Sequence, residues 1–125
     1  MITLVEPSER YLQSYMEAYE EYIANGVQTY AFDDAGAYNI FEKYDNYRHE
    51  RDLAPNRVGS DFYWLVDEAK DHFIGEISIR HRLTDALERY GGHIGYGVRF
   101  SEWKKGYGTL MLQLALAKTK ALGIS

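Results

Sequence analysis

Ile2 to Glu6 alternates apolar and polar residues and is rich in β-branched side chains, which predicts a short first strand that Pro7 stops. Ser8 follows as a helix N-cap with Glu9 in the first turn. Leu12, Tyr15, Met16, Tyr19, Tyr22 and Ile23 then recur at helical spacing as far as Asn25-Gly26, so a first helix is expected there. Tyr38, Phe41, Tyr44 and Tyr47 fall three apart on one face of a second helix, capped by Asp33 or Asp34 and ending near Arg51. Phe62 to Val66 is apolar on both faces, as buried strands are, and Asp67 to Asp71 turns it into a third strand, His72 to Arg80. Together they predict an antiparallel hairpin.

Alternation along the third strand puts Phe73, Ile77 and Ile79 on one side and Glu76, Ser78 and Arg80 on the other. Thr84 is expected to start a short helical turn that ends at Gly91-Gly92. Ile94 to Phe100 is the fourth strand, with Ile94, Tyr96, Val98 and Phe100 facing one way and Gly95 and Gly97 the other. Glycine inside a strand often marks a bulge or the close approach of a ligand to the backbone. From Gly106 a long helix carries Met111, Leu112, Ala115, Leu116 and Leu122 on one stripe, the pattern of a helix packed on a sheet. The order strand, helix, helix, strand, strand, strand, helix predicts an α+β fold.

Length makes residues 1–125 a single domain, and 46% hydrophobic with 26% charged residues is ordinary globular composition. Without cysteine the chain has no disulfide, thiolate nucleophile or thiolate metal site, and no His/Asp/Glu spacing suggests a metal. The first residues lack a basic region, and no apolar run approaches a membrane span, so a cytoplasmic protein without a membrane partner is expected. A net charge of −5 argues against nucleic acid, whose binding rests on many Lys and Arg contacts. It suits a cationic acceptor, and the local Lys104-Lys105 pair suits a small phosphorylated ligand.

The glycines narrow that ligand. A dinucleotide fingerprint needs a third glycine three residues after the second, but Gly97 leads to Phe100 and Gly108 leads to Met111. A Walker loop would place a lysine between Gly108 and Thr109, and none is there. What remains is a basic turn opening a helix, whose free N–H groups and dipole stabilise an anion.

In this setting Trp103-Lys104-Lys105-Gly106-Tyr107-Gly108, followed by Thr109-Leu110-Met111-Leu112, resembles motif A of the GNAT superfamily of acyl-CoA N-acyltransferases. That motif runs Gln/Arg-x-x-Gly-x-Gly/Ala into a helix, and Trp103 departs from it at the first position. The likeness extends upstream through residues 91 to 98 and Ile74 to Ile77. It implies a mixed, mostly antiparallel sheet flanked by helices. It also implies transfer of an acetyl group from acetyl-CoA, with no metal, to the amine of a small molecule or peptide. Lys104, Lys105, Gly106, Tyr107, Gly108 and Thr109 would hold the pyrophosphate. The backbone of Val98, Arg99 and Phe100 would pair with the pantetheine arm, and a strand N–H near Val98 would face the oxyanion.

An amine acceptor needs a base, because an alkylamine of pKa about 10 is almost wholly protonated at pH 7. His93, at the mouth of the fourth strand, is placed first and Glu76 second, ahead of His49, His72 and His81. A non-catalytic acyl-CoA-binding module and a purely structural domain are the competing classes. The resemblance implies further that the chain, stopping at Leu122-Gly123-Ile124-Ser125, lacks the C-terminal third of the fold. An unpaired edge on the fourth strand, homodimer formation and weak turnover are then expected.

Overall fold

A computed structural model describes residues 1–26, 32–51, 59–80 and 94–122. Strands β1 (Ile2–Val5), β2 (Ser60–Asp67), β3 (His72–Arg80) and β4 (Ile94–Val98) form one sheet in the order β1-β2-β3-β4. Every neighbouring pair among the described residues is antiparallel, in line with the mostly antiparallel sheet expected. Helices α1 (Leu12–Ala24) and α2 (Ile40–His49) cover one face, and α3 (Tyr107–Leu122) covers the other.

Both faces are therefore core. On one, Tyr11, Tyr15, Ala18 and Tyr22 from the α1 side pack with Trp64, Val66 and Phe73. On the other, Met111 and Ala115 of α3 pack with Leu65, Ile74, Ile77 and Ile79. Ile23 and Leu116, which helical spacing had assigned to buried stripes, are exposed.

One irregularity reorganises the third strand. The β2–β3 register passes from Leu65↔Gly75 to Val66↔Phe73, leaving Ile74 as an extra residue on β3. A bulge of this kind interrupts the alternation of side chains. Phe73 consequently joins Trp64 on the α1 and α2 face, while Ile74, Ile77 and Ile79 face α3, which corrects the grouping of Phe73 with Ile77. Gly75 sits at the bulge because a Cβ there would lie 2.7 Å from the Gly97 carbonyl oxygen and 3.2 Å from Met111 Cε.

Helix boundaries follow local capping. Ser8 caps a single 3-10 turn, Glu9–Tyr11, that leads into α1, and α1 ends at Asn25 with Gly26 at φ 67°. The cap of α2 is Asn39, whose Oδ1 accepts from the N–H groups of Phe41 at 3.0 Å and Glu42 at 3.4 Å. Asp33 and Asp34 were expected in that role but lie upstream of an intervening turn. Asp34 instead accepts from Gly36 N–H at 3.1 Å, and Asp33 pairs with Lys43. The helical turn expected from Thr84 lies outside the described residues. Among the described residues no helix is long and apolar enough to cross a membrane.

Candidate active site

The edge of β4 beside which no described strand pairs meets the start of α3. Arg99 N–H donates to Ile74 O at 2.7 Å, extending the β3–β4 ladder by one pair. In an antiparallel ladder, alternate residues turn their backbone groups inward and outward. Gly95 and Gly97 therefore bond toward β3, while Tyr96 and Val98 direct their N–H and C=O to the side where no described strand pairs. The Val98 carbonyl accepts from Tyr22 Oη and from Trp103 Nε1, the latter at 2.7 Å. Beside it, the Tyr96 N–H and C=O and the Val98 N–H also face outward.

After a 3-10 turn, Phe100–Glu102, the chain passes through Lys104 at φ 65° and Gly106 at φ 83° before α3 begins. Glycine suits that left-handed position because a Cβ would strain it. The Gly106 carbonyl receives the first helical bond, from Leu110 N–H at 3.1 Å, so the N–H groups of Gly106, Tyr107, Gly108 and Thr109 have no earlier helical carbonyl. Gly108 allows the helix to start close to β4, since a Cβ there would sit 3.2 Å from the Tyr96 ring. Between strand edge and helix start lies a cavity of about 380 Å³, lined by Tyr22, Tyr96, Val98, Trp103, Gly106 and Gly108 among others.

The charged side chains here are mostly committed. Lys105 pairs with Glu102 at 3.1 Å, and Glu102 also lies 3.1 Å from His72 Nε2. Burial raises the Glu102 carboxyl, but Lys105 and His72 outweigh it and hold the group below the usual range. Arg99 turns away from the cavity and is buried: Nε and Nη2 each lie 2.7 Å from Glu21 Oε2, and Nη1 donates to Ser14 Oγ at 3.0 Å. Its N–H is spent on Ile74 and its guanidinium ties α1 to the sheet. Phe100 packs on Trp103, ring centres 4.7 Å apart, and against the α1-side core. Of the segment Val98 to Phe100, Val98 lines the cavity. Lys104 lines it too and is exposed, as is Thr109 on the first turn of α3. Trp103, in place of the motif's Gln or Arg, uses its indole as a strut to the strand end.

Glu76 lies on the α1 and α2 face, paired across the sheet with Trp64 on one side and Gly97 on the other. It is buried, and its Oε2 accepts from Tyr44 Oη at 2.5 Å and Trp64 Nε1 at 3.0 Å. Burial pushes the carboxyl up to about 7, although the two donors and Lys43 pull it down. The Tyr44 phenol is pushed up by burial and by Glu76. His93 lies outside the described residues. Sequence spacing had marked Tyr22 and Tyr44 as core aromatics and gave no sign of their polar contacts, which join residues 76 and 32 positions apart. Among the described residues no group of three His, Cys, Asp or Glu could hold a metal ion.

A family model described as acetyltransferase (GNAT) domain matches residues 3–125. None of the curated proteins compared matches the chain.

Proposed function

The chain belongs to the GNAT acetyltransferase family, and from that premise we propose that it moves an acetyl group from acetyl-CoA to a primary amine of a small molecule or peptide. The observation that carries this reading is the convergence of the outward groups of β4 with the free N–H groups at the start of α3 around one cavity. The fit is chemical. N–H groups from Gly106 to Thr109 suit the pyrophosphate, and the Tyr96 N–H and C=O suit the amides of pantetheine. Because Tyr22 and Trp103 already donate to the Val98 carbonyl, the arm pairs toward Tyr96 rather than beyond Val98.

Acetyl-CoA supplies an activated thioester. The neutral amine nitrogen bonds to its carbonyl carbon, the C–S bond breaks, the sulfur leaves as a thiolate, and the proton shed by nitrogen goes to a base and from there to the sulfur, giving the thiol. A fixed N–H such as that of Val98 stabilises the oxyanion, a contribution of about 3 kcal/mol in hydrolases. For the base, Glu76 is the candidate among the described residues: its carboxyl is raised to about 7, and Gly97 beside it places no side chain between it and the β4 edge, while His93, placed first from the sequence, lies outside them.

The test is acetyl-CoA consumption across an amine panel. Acetylated product with at least one amine is expected, together with loss of the acidic limb of the kcat/KM profile in Glu76→Gln but not in His93→Ala. Tight CoA binding without turnover on any amine would favour a non-catalytic acyl-CoA-binding module instead.

A further inference from the structure

Resting on the reading of Glu76 as the base, we propose that Tyr44 is a positioning residue, pinning one oxygen of the Glu76 carboxylate and leaving Oε1 to take the proton from the amine. Tyr44 Oη and Trp64 Nε1 approach the same atom, Oε2, from α2 and from β2. Two donors on one oxygen fix the plane of the carboxylate, and both favour its ionised form. Without them a smaller share of this buried carboxyl would be ionised at neutral pH, and less of it would be available as a base.

Other groups facing Glu76 do not replace this arrangement. Tyr15 from α1 donates no bond to it and, with Asp33 and Tyr38 ahead of α2, adds only electrostatic influence. Lys43 of α2 lowers the carboxyl through space but is paired with Asp33. Gly97 on β4 carries no side chain. Tyr44 is itself buried and stacks its ring edge on Phe41 and Trp64, so its hydroxyl has little freedom to leave.

The experiment compares wild type, Tyr44→Phe and Trp64→Phe of the full chain by infrared titration of isotope-labelled glutamate, with Glu76→Gln identifying the Glu76 band. Hydrogen bonds to a charged group are worth enough to move a carboxyl by about one unit. Tyr44→Phe should raise the Glu76 midpoint by that amount and carry the acidic limb of kcat/KM with it, measured with acetyl-CoA and an amine that wild type acetylates. Trp64→Phe should shift both in the same direction and serves if Tyr44→Phe does not fold. An unmoved midpoint in the folded variants overturns the proposal. If the midpoint moves but the kinetic limb persists in Glu76→Gln, Glu76 is not the base, and it is the catalytic reading that fails.

Discussion

Glu76 titrates far from an ordinary glutamate, so its protonation is coupled to folding. Its carboxyl moves from 4.5 to about 7 because burial disfavours the charge more than Tyr44, Trp64 and Lys43 favour it. Below about pH 4.5 the group is neutral whether the chain is folded or not, and it costs nothing. As pH rises through the window to 7, the unfolded chain releases the proton first, so stability falls, by about 3 kcal/mol once the folded state has ionised too. Glu76→Gln should flatten the pH dependence of urea-unfolding free energy between pH 4.5 and 7. A variant that follows wild type across that window would show that Glu76 is not buried as described. At this scale the sequence was legible at Gly106 and Gly108, whose spacing reports backbone geometry directly. It was illegible at Tyr44, whose role depends on a partner 32 positions away.

Capping and register decide the elements. Periodicity located all three helices and all four strands of the described residues, because each buries an apolar face. It misplaced the start of α2, where Asn39 rather than Asp33 or Asp34 supplies the cap. Asn39→Ala should destabilise the protein by about 1 kcal/mol, read as a lower urea midpoint at unchanged slope, while Asp34→Ala should cost less. Equal losses would place the helix start upstream. The bulge at Ile74 could not be read from alternation, which contains no marker for an extra residue; Gly75 was the local clue. Its consequence is that Phe73 and Glu76 share one face, under α1 and α2.

For the molecule as a whole, two packed faces leave the edge of β4 as the place where the sheet's backbone groups face no described strand. Among the described residues no strand lies beside the outward Tyr96 N–H and C=O and the Val98 N–H, and we propose that copies of the chain associate there as an added strand and that the cosubstrate competes with them. Sedimentation should show association at high protein concentration that CoA reverses; association indifferent to CoA would place the contact elsewhere. The central claim is that CoA is held between β4 and the first turn of α3. Calorimetric titration of CoA into wild type and Gly108→Val tests it most directly, because the added side chain would meet the Tyr96 ring within the cavity. Saturable binding to wild type and its loss in a folded Gly108→Val is the predicted result; undiminished affinity in the folded variant would contradict it.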